Sequence, residues 1–352
     1  MESVKNFLSD SELYELLSAV EKFPPSLNES TMLYDYNKLA QILREKELSN
    51  LVKDSEMLEL AHTLSSKFNP LTQQILQKSI SNDQILLLYQ EIQQEIGQQL
   101  SGLLYIFATQ WGYSVIALLY YKNGDYHNAI NKSLECIILN EYLIRSGVST
   151  LLMRAAEQNK NVIRVLFRSN DWKNAGSYAH DFLMYLFNGN CEFQNGQIFF
   201  EKKFWKKNEY VREGYCYECF RSIVSLAIHS EKQLGVSAQD LFTHIFSNLD
   251  FEINTPDRQI IYEWLQLKKL CFSGEYGKFK NEFVAFMSTP ISKIYDILKI
   301  SIILDVQNLL NNSELTPTTK QIEESLTEFM FRELNAVFYL NSDLSARNLV
   351  KQ

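Results

Sequence analysis

Tyr113-Ser114-Val115-Ile116-Ala117-Leu118-Leu119-Tyr120-Tyr121-Lys122-Asn123-Gly124-Asp125-Tyr126-His127-Asn128-Ala129 decides how this chain is read. Two mainly apolar runs flank a short polar break, Asn123-Gly124-Asp125. Ala117 and Ala129 are small enough to let two helices approach closely, and Tyr120 and Tyr126 fill the space around such a contact. Gly124 accepts the backbone that a tight turn between helices requires. The stretch predicts a helical hairpin bent at Gly124.

Reading on to Cys136, the spacing is Tyr113-x3-Ala117-x2-Tyr120-x3-Gly124-Asp125-Tyr126-x2-Ala129-x6-Cys136. It resembles the tetratricopeptide repeat, which places an aromatic, a small residue, a Tyr, a Gly-x-Tyr turn and an Ala in this order. Two echoes follow. Leu166-Phe167-Arg168-Ser169-Asn170-Asp171-Trp172-x2-Ala175 puts Asn for Gly and Trp for Tyr, and Leu270-x3-Gly274-Glu275-Tyr276-x2-Phe279 puts Phe for Ala. Tyr126 and Trp172 are 46 positions apart, and Trp172 and Tyr276 are 104. The family repeats at about 34 residues, so these hairpins are longer and less regular. The resemblance spans roughly residues 111–290. It implies an all-α array of antiparallel helical hairpins, a tetratricopeptide-like α-solenoid, whose groove binds a protein or peptide.

Composition agrees with helices. Only 12 Gly and 6 Pro punctuate 352 residues, too few for the turns of a β-sandwich or barrel, while 46% hydrophobic and 13% aromatic residues supply a core. The expected division is an N-terminal helical region, 1–100, and a repeat region, 101–352. In the first, Ser9-Asp10-Ser11-Glu12 reads as a capped start, and Leu13, Leu16, Leu17 and Val20 share a face before Pro24-Pro25. Helices are also expected over 28–45 and 55–68. Ile85, Leu88, Ile92, Ile96, Leu100 and Leu103 then stripe one long glutamine-rich helix. Pro256, Pro290 and Pro317 each stand where a first helical turn tolerates proline. Asn195-Gly196, between segments bearing Phe193 and Ile198, predicts one small β-hairpin near 191–200.

No charged residue lies between Glu95 and Lys122. A spanning helix needs roughly 20 apolar residues, but Thr109-Gln110-Trp111-Gly112 would fall at its centre, where polar groups are costly. The reading is two buried segments meeting near Trp111-Gly112, with no membrane partner. The start is acidic, without a secretory pattern, and five scattered cysteines suit a reducing compartment, so a cytoplasmic location is expected. Net charge is −8, and residues 1–100 hold fifteen acidic against eight basic side chains. Such a chain repels phosphate backbones, and no nucleic-acid partner is expected.

No catalytic constellation emerges. Cys216-Tyr217-Glu218-Cys219 has no second ligand pair for zinc and lies within a helix, so its thiols read as small hydrophobes. Glu59-x-x-His62 has no second copy, as a di-iron bundle would require. No Gly-rich phosphate loop or nucleophile elbow is present. The expectation is a chain that is not an enzyme and carries no cofactor or metal. The candidate binding residues are Lys202, Lys203, Trp205, Lys206, Lys207, Tyr210 and Arg212, a basic run interleaved with aromatics that suits an acidic peptide or an anionic group. The expected function is a non-catalytic protein- or peptide-binding scaffold. The alternative is a peptide-sensing regulator with 1–100 as its output region.

Overall fold

A computed structural model describes residues 7–28, 32–188, 209–314 and 316–340. The fold is all-α. Among the described residues no strand forms, and the one extended pairing is an isolated bridge between Leu27 and Ser292. The β-hairpin expected near 191–200 lies outside the described residues. The helices are α1 (Asp10–Val20), α2 (Met32–Leu51), α3 (Ser55–Ser66), α4 (Phe68–Gln77), α5 (Asn82–Gln99), α6 (Gly102–Lys122), α7 (Tyr126–Arg145), α8 (Leu152–Arg168) and α9 (Trp172–Asn188). They continue as α10 (Glu209–Leu234), α11 (Ala238–Ile245), α12 (Pro256–Ser273), α13 (Tyr276–Ser288), α14 (Asp296–Asn311), α15 (Pro317–Glu333) and α16 (Ala336–Leu340).

Packing divides the described chain into two compact units, 32–219 and 7–28 with 220–340. The division expected at 100/101 is not a packing boundary. Helices α3, α4 and α5 all pack on α6, so residues on both sides of position 100 share one core. Residues 209–219 of α10 belong to the first unit and 220–234 to the second.

The three turns singled out in the sequence share one geometry. Gly124, Asn170 and Gly274 have φ of 78°, 65° and 76°. In each, the next residue donates its N–H to a carbonyl five positions back. Asp125 reaches Tyr120 at 2.9 Å, Asp171 reaches Leu166 at 3.1 Å, and Glu275 reaches Leu270 at 3.1 Å. The left-handed residue itself bonds back to Tyr121, Phe167 or Cys271. This double closure satisfies carbonyls that a helix end otherwise leaves bare, and it needs a residue that tolerates positive φ. The residue five positions after the left-handed one, Ala129, Ala175 or Phe279, is fully buried. Gly147, at φ 116°, closes α7 in the same way, with Val148 bonding to Leu143 at 3.0 Å. Around the first turn Ala117 is buried, Tyr113 lies under the Lys132 ammonium at 5.0 Å, and Tyr126 meets Tyr121. Tyr120 and Trp172 remain partly exposed.

In the 32–219 unit, α6 is one continuous helix rather than two segments meeting near Trp111-Gly112. Gly112 does not break it. A Cβ there would come within 2.3 Å of Gln93 Nε2 and 2.7 Å of the Phe68 ring, so the glycine permits close approach of α4 and α5. By length and composition α6 could cross a membrane, yet 56% of its most apolar window is buried against neighbouring helices. The glutamine-rich stripe is likewise interrupted: α5 stops at Gln99 and Leu100 caps it with extended backbone.

In the other unit, Ser9 and Glu12 form the expected capping box, and Leu13, Leu16 and Val20 are buried. Phe23 packs edge-on against Phe283 and Phe329. Pro256 and Pro317 open α12 and α15. Pro290 does not open a helix. Ile291 accepts from Leu27 N–H and Lys293 donates back to Leu27, so extended backbone occupies this stretch and α14 begins only at Asp296.

Candidate functional site

Of the expected basic run, Lys202, Lys203, Trp205, Lys206 and Lys207 lie outside the described residues, and Tyr210 is described only as helical backbone. Arg212 is buried. Its Nη1 stands 3.4 Å from the Phe187 carbonyl and its Nη2 3.4 Å from Glu213. Cys216 and Cys219 are fully buried on α10. His62 packs edge-on against Phe107, and burial together with Arg44 lowers its pKa, while Glu59 faces solvent. Among the described residues no three His, Cys, Asp or Glu side chains gather as a metal set requires.

The structure draws attention to a different set in the 32–219 unit. Helix α8 is strongly amphipathic, and its polar side carries Arg154, Glu157, Asn161, Arg164 and Arg168. Spacings of three and four put these on one stripe. No residue of α8 is exposed, so the stripe is recessed. Arg154 holds Glu157 through Nη1 at 2.8 Å and reaches across to Ser114 Oγ on α6 through Nη2 at 2.6 Å. Its guanidinium carbon stands 4.3 Å from the centre of the Trp111 ring. A second guanidinium, Arg44 of α2, stands over the same ring at 5.6 Å.

Arg44 is placed there by Glu47, one turn further along α2. The Glu47 carboxylate accepts from Ser149 Oγ, from Thr150 N–H at 3.0 Å and from Thr150 Oγ1 at 2.7 Å, tying α2 to the short 3-10 turn Ser149–Leu151 that leads into α8. Gly147 lets this turn sit close, since a Cβ there would touch Leu51 at 3.4 Å.

The electrostatics are one-sided. Burial lowers the Arg44 pKa, and Arg154 lowers it further. Burial does the same to Arg164, which among the described residues donates to Asn161 at 2.8 Å. Lys160 has Glu218 at 2.9 Å. The Tyr215 hydroxyl is pushed well above its ordinary pKa by burial and by Glu157 and Glu218. Buried polar atoms without a hydrogen-bond partner here include Nε of Arg44, Arg154 and Arg164, Nε1 of Trp111 and, on α8, the acceptor Oε1 of Gln158. The two guanidiniums over Trp111 carry paired donors, and the chemistry such donors suit is the holding of an oxyanion.

Sequence reading passed over this stripe, although its spacing is legible between Arg154 and Arg168. What could not be read is that Arg44, far away in sequence, arrives at Trp111. Comparison with protein-family models, curated proteins and solved structures returns no match.

Proposed function

We propose that this chain is a non-catalytic interaction module, in which helical hairpins stack in a tetratricopeptide-like array and present a recessed face to a peptide or protein segment. The observation that carries the reading is the recurrence of one hairpin turn at Gly124, Asn170 and Gly274, each followed by a buried residue that seats the next helix. Successive packing of α6 on α7, α7 on α8 and α8 on α9 supports it. Stacked hairpins generate an extended surface because each contacts mainly its neighbours.

Selection from a random peptide library with the purified chain is expected to enrich linear peptides that then bind in calorimetry. If no sequence is enriched beyond what an unrelated helical protein recovers, the reading fails.

A further inference from the structure

We propose that the polar stripe of the 32–219 unit seats an acidic peptide segment, with Arg44 and Arg154 at Trp111 receiving one of its carboxylates. This rests on the interaction-module reading and names the chemistry of the ligand.

Three observations converge. Arg44 makes no hydrogen bond or ion pair with any described residue, although most of its side chain is out of water. Its Nε is buried without a partner, so the hydration that atom lost is not replaced. Second, Arg154 shares the same indole, and of the two cations only Arg154 has a carboxylate, Glu157. The other charged group acting on Arg44 from its own helix, Glu45, faces solvent, and His62 nearby has its protonation disfavoured. Glu45 and Tyr215 favour the Arg44 charge from a distance, but no carboxylate among the described residues pairs with it directly. Third, the stripe continues to Arg164, ten residues on, which at the helical rise is about 15 Å. An extended peptide covers that distance in four to five residues, at about 3.3 Å each.

The ligand is therefore a peptide bearing carboxylates about four residues apart. Carboxylate suits the site because a guanidinium offers paired donors to two oxygens, and an aromatic beneath the cation keeps it oriented.

The test uses a blocked pentapeptide with glutamate at its first and fifth positions, the same peptide with glutamine, and succinate. Binding is followed by calorimetry and by the Trp111 indole N–H signal in NMR, assigned with Trp111→Phe. The glutamate peptide is expected to shift that signal and to bind more weakly as salt rises. The glutamine peptide and the Arg44→Met chain should each lose roughly tenfold or more in affinity, the scale of a charge-assisted contact. Arg44→Met should melt no lower than the parent chain, which separates a binding role from a structural one. Equal binding of the glutamine peptide would overturn the carboxylate assignment. Succinate binding as tightly as the peptide would overturn the peptide assignment in favour of a small-anion site. Library-selected peptides that bind without moving the Trp111 signal would overturn this site and leave the interaction module standing.

Discussion

Both units pair buried charges, Lys160 with Glu218 in one and Lys268 with Asp305 in the other, but they differ at Arg44. In the unit formed by 7–28 and 220–340, buried ions are matched inside the fold. Lys268 Nζ stands 2.6 Å from Asp305 Oδ2, an ion pair although not aligned as a hydrogen bond, and Lys280 holds Glu15 at 2.6 Å. Lys299 donates to the carbonyls of Met287 at 3.2 Å and Thr289 at 3.0 Å, and Ser26 donates to Asp296. In the 32–219 unit, Arg44 has no such partner, and Arg154, Arg164 and Trp111 keep unmatched donors. Buried polar groups in folded proteins are nearly always bonded, so a concentration of exceptions marks a surface shaped by something other than stability.

The strongest challenge to this contrast is to remove a matched cation. Lys268→Met leaves the Asp305 carboxylate buried beside Glu231 with no countercharge, and is expected to cost about 3–5 kcal/mol. Urea unfolding measures it; a loss under 1 kcal/mol would show that the pair is not what holds this unit's charge in balance.

A smaller effect comes from Asp296. Burial raises its pKa from 3.8 to about 6, against the opposing pull of the Ser26 hydrogen bond and Lys299. A carboxyl whose folded pKa is raised contributes stability that is complete below about pH 4 and is lost as pH rises through about 6. Asp296→Asn keeps an acceptor for Ser26 and removes that dependence. Relative to the parent, the variant should gain about 2–3 kcal/mol in stability between pH 4 and pH 7. Melting curves across that range test it, and a difference independent of pH would contradict the assignment.

Next in size is the hairpin turn. Gly124 sits at φ 78° with open space around its Cα, so Gly124→Ala meets backbone strain and no clash. The expected cost is about 1 kcal/mol. Gly124→Asn should cost less, because Asn170 already holds the same conformation. Equal losses for both variants would mean the turn's stability does not lie in its left-handed residue. Smallest of all is Arg44→Met, which should change the melting temperature little or raise it. A clear fall would show that Arg44 stabilises this unit and would erase the difference between the two.

Much of the fold was legible because its cues are local. Gly124, Asn170 and Gly274 are read from turn chemistry, the Ser9 capping box from four consecutive residues, and Pro256 and Pro317 from proline's fixed φ. Long-range pairing defeated the rest. Pro290 looks like a helix start until residue 27 pairs with 291–293, and Gly112 looks like a breaker until Phe68 and Gln93 are seen packed against it. The candidate site was missed for the same reason. A basic run such as 202–207 is conspicuous in a sequence, whereas Arg44, Trp111 and Arg154 become a cluster only when Glu47 fastens α2 beside the start of α8.

The 7–28 segment has a consequence for how the chain is made. Phe7 meets Tyr276 edge-on, Glu15 meets Lys280, and Phe23 inserts between Phe283 and Phe329. During synthesis these residues leave the ribosome long before the partners that cover them, while the whole of 32–219 emerges in between. Domains fold as they are completed, so the intervening unit can close first while the apolar face of α1 waits in solvent. Until then that face stays uncovered, and the 7–28 and 220–340 segments become one body only after the intervening residues have been made.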